Sequence, residues 1–240
     1  MGDEPMLERS RNNEASASHR NPQRSPGRKR FGALLNATEQ LLTECSAEDL
    51  TLARIAERAE VPVSSIYHFF PNKNAAYTAL AQRFHAQLRE ISERPMTPAP
   101  RSWQAVIEDK QRAGAKFLNE HPAALHLFMG AGISVDVRNL DLSSNVQLAQ
   151  SRAAYLRRYF HMPRLPDLEN HLAVAIGLTD GIWAISYSAE RRITPFYARE
   201  ALRATVLYLR SYLPEFLEPR DISNQPDGGS SEEEEASRTI

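Results

Sequence analysis

Val63, Ser64, Ser65, Tyr67 and His68 place a methyl-bearing side chain, two hydroxyls, a phenol and an imidazole within one short stretch of chain. These groups donate and accept hydrogen bonds, and hydroxyl and imidazole types also serve nucleophilic and acid–base catalysis. Catalysis needs more than the residue types, and no nucleophile elbow or Gly-rich phosphate loop accompanies them. His121, His126, His161 and His171 are the other candidates for proton transfer or metal binding. They form no HExxH-like motif, the spacing of His121 and His126 does not align them on one helical face, and no cysteine lies near. The expectation is therefore no catalytic residue, no metal and no cofactor, which leaves the 63–68 stretch to recognition.

The elements that must position this stretch are short helices. Ile55, Ala56 and Ala59 fall at the spacing of one helical face, so a helix over 51–59 can lay a small-residue stripe on a neighbour. Pro62 cannot continue that helix but suits the first turn of the next, and it pushes Val61 away from helical angles. A second helix over 63–70 then turns Ile66 and Phe70 inward and sends Val63, Ser64, Ser65, Tyr67 and His68 mostly outward. Such a face buries little and suits base edges and phosphates. In helix-turn-helix proteins the start of the second helix reaches the bases while its flanks hold the backbone.

Ile66, Tyr67, His68, Phe69, Phe70, Pro71, Asn72 and Lys73 follow this pair of helices in one run. The run resembles the signature of the tetracycline-repressor-like (TetR) transcriptional regulators, and the likeness extends over 29–80, about a fifth of the chain. The resemblance implies an N-terminal helix-turn-helix three-helix head on a C-terminal helical bundle. It also implies a cytoplasmic regulator rather than an enzyme, a homodimer that binds a pseudo-palindromic operator, and repression relieved by a small-molecule effector. Carried over by position, Thr51, His68 and Lys73 would hold phosphates, and Val63, Ser64, Ser65 and Tyr67 would face base edges. Two positions depart from the pattern. Glu60 stands where the turn usually has Gly, at a cost of roughly 1 kcal/mol if the backbone is left-handed there. Phe69 replaces an aromatic able to bond a phosphate, which leaves that contact to His68. Two other readings stay open: an architectural or occlusion protein of the same fold without an inducer, and an enzyme built on a helical bundle.

The chain has 240 residues, of which 42% are hydrophobic, enough for a sizeable core in one or two domains. No run is expected to be apolar enough to span a bilayer, and the charged N-terminus is unlike a secretory signal. A single cysteine, Cys45, excludes an internal disulfide and fits a reducing compartment. The net charge of −1 hides an asymmetry. Arg20, Arg24, Arg28, Lys29 and Arg30 precede the helix pair, whereas Asp221, Asp227 and Glu232 to Glu235 crowd the other end. A basic arm can neutralise phosphates, and Arg28 and Lys29, at the start of the first helix, are its expected DNA contacts.

Residues 1–26 and 220–240 lack periodicity and read as a disordered basic leader and a disordered acidic tail. Between them every periodic segment has helical spacing, so the fold class is all-α with about nine helices. A DNA-binding domain over 27–93 and a ligand-sensing and dimerisation domain over 101–219 are separated by the proline-rich RPMTPAP. The first helix is expected over 27–44, the fourth over 72–93, the seventh over 139–160, the eighth over 166–191 and the ninth over 195–213.

In the eighth helix Ala173, Gly177, Gly181, Ala184 and Ser188 form a shallow stripe that a second helix can approach closely, continued by Ala201, Thr205 and Tyr208 in the ninth. These are the candidate dimer contacts, and dimerisation has separate support because one reading helix contacts too few bases to be specific. Phe117, Leu125, Phe128, Met129, Tyr155, Trp183 and Tyr187 are the candidate walls of a ligand pocket.

Overall fold

The computed structural model describes residues 25–45, 49–130 and 134–221, with His19 and Pro22 before them. Most of the expected leader and nearly all of the expected tail, including Arg20, Arg24 and the Glu232 to Glu235 run, lie outside the described residues. Among the described residues the chain forms nine helices: α1 (Ser25–Glu44), α2 (Leu52–Arg58), α3 (Val63–Ile66), α4 (Lys73–Glu93), α5 (Trp103–Glu120), α6 (Pro122–Met129), α7 (Val135–Tyr159), α8 (Leu168–Glu190) and α9 (Pro195–Leu209). The extended pairing present there is an isolated bridge between Phe160 and Pro219, so the fold is all-α as expected.

Local chemistry sets most helix starts. Thr51, Asn72, Ser102 and Ser134 each accept a hydrogen bond from a backbone N–H of the first turn, which satisfies a donor that the helix itself cannot. The Ser134 cap explains why α7 begins at Val135 rather than near 139. Pro122 and Pro195 open α6 and α9, where a missing N–H costs nothing. α3 is shorter than expected, a helix to Ile66 followed by turns in which Phe69 and Phe70 both donate to the Ile66 carbonyl.

The core forms two clusters. One joins Leu34, Leu41, Ile55, Ile66 and Leu80 of the first four helices, and Phe70 between α3 and α4, to Ala123, Leu127 and Phe128 of α6 and Trp183 of α8. The second holds Trp103, Ile107, Leu156, Leu172 and Leu209, where α5, α7, α8 and α9 meet. Trp103 is fully buried at the start of α5, and its Nε1 donates to the Pro214 carbonyl at 2.9 Å, pinning α5 to the chain after α9. The non-helical 94–102 segment interrupts the helices where the sequence places a boundary, but the first core cluster runs across both sides of it.

α8 corrects one expectation. It is long and apolar enough, by length and composition, to cross a bilayer. Its inner face buries Leu172, Ile176, Thr179 and Trp183 against neighbouring helices, and its outer face exposes Val174, Leu178 and Ile185. A helix apolar on both faces gives that composition whatever lies against the outer one.

Candidate nucleic-acid interface and the cavity behind it

The candidate surface is built from the turn outward. Ile55 and Ala56 of α2 are fully buried, and Arg58 at its end pairs with Glu44 of α1 through two hydrogen bonds of 2.8 and 2.7 Å. That contact is the largest cause holding the exposed Glu44 carboxyl below its usual pKa. Glu60 has φ 54°, the left-handed angle that the turn requires, and Val61 N–H then closes back on the Ala56 carbonyl at 2.9 Å. Glu60 is thus a non-glycine residue paying for a glycine conformation.

α3 presents the expected face. Ile66 and Phe70 are fully buried, whereas Val63 is 46% and Tyr67 57% exposed, and Ser64 and His68 are exposed beside them. Ser65 is half-buried. Thr51 is exposed and accepts from Arg54 N–H at 3.3 Å, which leaves its hydroxyl hydrogen able to donate elsewhere. Lys73 is the half-buried first residue of α4, and a helix N-terminus favours a nearby anion. Arg28 and Lys29 are exposed in the first two turns of α1, which carry no acidic residue.

Phe69 has a packing role that the spacing did not reveal. Its ring lies 5.9 Å from Phe31 and 6.5 Å from Phe70, and Phe31 lies 5.3 Å from Phe70. The three rings fasten the first turns of α1, and with them Arg28 and Lys29, to the end of the α3 turn. His19 stacks on Phe31 at 5.7 Å.

Residues 34–80 match the family model of bacterial regulatory proteins of the tetR family. The HTH-type transcriptional regulator BetI of Cronobacter sakazakii is 27% identical over 187 residues, covering 75% of this chain and 89% of that protein. BetI of an Escherichia coli O127:H6 strain is 33% identical over 79 residues, 31% of this chain and 40% of the relative. A TetR-family regulator from Streptomyces coelicolor superposes with a TM-score of 0.62 at 23% identity, over 77% of this chain and 99% of its own, a likeness of fold. Residues 34–80 are thus a tetR-family DNA-binding domain, and the chain as a whole is TetR-like.

Behind the head, the chain holds a cavity of about 80 Å³, partly open to solvent, walled by α4, α5, α6, α7 and α8. Of the candidate pocket residues, Phe128, Met129 and Trp183 line it. The other four do not. Phe117 stacks on His121 at 4.2 Å in the core, Leu125 borders a separate shallow depression with Pro122, Tyr155 accepts from Met96 N–H and stacks on Tyr159, and Tyr187 bonds His126 at 2.7 Å. They are tied to these partners because helical periodicity gives burial without saying against which neighbour.

The polar wall went unforeseen. Asp141, Asn145, Leu148 and Arg152 fall on one face of α7, Thr179 and Asp180 come from α8, His85 from α4, and Lys110 and Gln111 from α5. Asp180 accepts from Asn145 at 2.6 Å, yet burial first, and nearby Asp141 second, raise its pKa to about 7. Burial likewise raises Asp141 to about 6 against the opposing pull of Arg138, whose Nη1 donates to it at 2.8 Å. His85 lies 3.5 Å from Asp141, but burial lowers its pKa to about 4, so the ring is neutral near pH 7 and the approach is no charge pair. Burial also lowers Arg152 to about 10, still charged at neutral pH. The available signal was Asp180, a lone charge inside the apolar run of α8.

The small stripe divides. Gly177, Gly181 and Ser188 are exposed and Ala173 and Ala184 half-buried, and a Cβ at Gly177 or Gly181 would meet nothing within 4 Å. Tyr208 is half-buried, and its hydroxyl lies 3.1 Å from His171 Nδ1. Ala201 and Thr205 are instead buried within the monomer, which corrects their assignment to a surface. Gln111 Nε2 donates to Thr179 and Thr205 hydroxyls at 2.7 and 2.9 Å, so Thr205 faces α5 and α8. Among the described residues no group of three or more His, Cys, Asp and Glu is placed to hold a metal.

Proposed function

We propose that the protein is a ligand-responsive repressor that binds a pseudo-palindromic operator as a homodimer. The observation that carries the reading is the α3 face, where Val63 and Tyr67 stay exposed although the opposite side of the same turn is fully buried. A valine and a phenol held outward on a rigid base suit a thymine methyl and a base edge, with Ser64 and Ser65 supplying hydroxyls between them. Thr51, His68 and Lys73 flank that face and hold phosphates, as do Arg28 and Lys29, which the Phe31 cluster keeps beside it.

The exposed stripe of α8, with Val174, Leu178 and Ile185 along it and Tyr208 of α9 at its edge, pairs with its twofold mate. Two α3 faces then enter successive major grooves about 34–36 Å apart. α4 links the two activities, because Lys73 opens it beside α3 while His85, Leu88 and Ile91 farther along line the cavity. A small molecule that binds one position of α4 better than another shifts the spacing of the two heads by that difference in affinity. The architectural reading without an inducer gives the cavity no use.

Selection of bound duplexes from a random pool tests the proposal. It predicts a two-half-site consensus with approximate dyad symmetry; a pool that stays random after repeated rounds would refute sequence-specific reading.

A further inference from the structure

The cavity wall is balanced in charge and unsatisfied in hydrogen bonds. Above pH 7, where both carboxylates are ionised, Asp141 and Asp180 carry its negative charge and Lys110 and Arg152 its positive, with His85 neutral among them. Lys110 already donates to the Arg94 carbonyl at 2.7 Å and lies 4.6 Å from the centroid of the Tyr155 ring, and Asp141 already accepts from Arg138. Three side chains more than nine-tenths buried line the same space, and each has a buried polar atom without a protein partner: Nδ1 of His85, Oε1 of Gln111 and Nε1 of Trp183. Nε of Arg152 is a further buried donor without an acceptor. The set includes donors and acceptors, and natural interiors rarely leave either unmet. Leu88, Ile91, Leu148 and Ile176 supply the apolar remainder.

We propose that the cavity binds a net-neutral amphipathic small molecule whose polar end both donates and accepts hydrogen bonds, a carboxamide being the simplest case. This rests on the reading of the protein as ligand-responsive and names the chemistry of that ligand. The polar end accepts from Trp183 and Arg152 and donates toward Gln111 Oε1 and Asp180, while the hydrocarbon body lies along the apolar wall. Above pH 7 a cation or an anion in the same place would add an uncompensated charge to a set that sums to zero, and burying such a charge is costly.

Calorimetric titration of the full chain at about pH 8, where Asp180 is ionised, with 4-phenylbutanamide, 4-phenylbutanoate and 4-phenylbutylammonium holds the body constant and varies the charge. The amide is expected to bind about tenfold or more tightly than either ion. Asp180→Asn, which leaves the wall with an excess positive charge, should move the preference to the carboxylate, and Arg152→Met should move it to the ammonium. Equal or better binding of an ion by the unmodified protein, a preference that neither variant moves, or no binding of any of the three would overturn the proposal. Release of the selected operator by another compound, screened in parallel from a broad metabolite panel, separates the two ideas. If the probes fail but a compound releases DNA, the ligand-responsive reading stands and the chemistry proposed for its ligand falls; if neither happens, both fall.

Discussion

His85 of α4 and Phe128 of α6 lie ring against ring, with centroids 4.3 Å apart at the edge of the cavity. α6 also shares the core of the first helix, so this pair ties the cavity to the head through two helices at once. Phe128→Ala should destabilise the fold by about 3–5 kcal/mol, the usual loss for a buried phenylalanine. In a protein still folded at low temperature it should also weaken any effector-induced release of DNA more than it weakens operator binding. Urea titration reads the first effect and competitive fluorescence anisotropy the second.

Glu60 at φ 54° predicts that Glu60→Gly stabilises the protein, by about 1 kcal/mol, because relief of the left-handed angle exceeds the extra entropy of an unfolded glycine. The urea midpoint should rise without a change in slope. A midpoint that falls would show that the Glu60 side chain contributes a contact outweighing its strain.

Much of this head was legible in the sequence because each signal was local. Pro62 and the Ile66 and Phe70 spacing act within a turn or two of themselves, and the helices and outward face followed. The body was legible as helices but not as a site. Periodicity marked Phe117, Tyr155 and Tyr187 as buried, yet only tertiary packing decides that they face His121, Met96 and His126 rather than the cavity. Thr205 looked like a small interface residue for the same reason, its true partner Gln111 being distant in sequence. The charged cavity wall was missed because Asp141, Asp180 and Arg152 come together from two helices, and a charge at helical spacing ordinarily means a solvated face.

Asp180 makes stability depend on pH in a predictable sense. Its folded pKa of about 7 stands above the ordinary 3.8, so the folded protein keeps a proton that the unfolded chain releases. Its contribution is therefore greatest in acid and is lost as pH rises toward 7; Asp141 acts in the same sense up to about 6. His85, held at about 4 against an ordinary 6.5, acts in the opposite sense, adding stability as pH rises through that interval. Asp180→Asn isolates the first effect. Relative to the variant, the unmodified protein should lose on the order of 2 kcal/mol between pH 5 and pH 8. A difference that stays constant with pH would mean that Asp180 is ionised throughout.

Lys73 and Ser64 are predicted to fail differently. Lys73→Ala should weaken binding to all duplexes alike and reduce the salt slope by about one, the signature of a lost phosphate contact. Ser64→Ala should leave the salt slope unchanged and relax preference at one position, at about 1–3 kcal/mol. Exchange of these two outcomes would contradict the division of roles.

Gly177→Arg with Gly181→Arg tests the α8 face. Each glycine opens on space in the monomer, so the substitutions should leave helical content intact while sedimentation shows a monomer and operator affinity falls to the non-specific level. A dimer that survives both would place the interface elsewhere.

The central claim is that two α3 faces read one face of a duplex together, and half-site spacing tests it most directly. Inserting five base pairs, about half a helical turn, between the half-sites of the selected operator turns one of them to the far side of the duplex. The account predicts a loss of affinity of about a thousandfold or more, to the non-specific level. Unchanged affinity would contradict it.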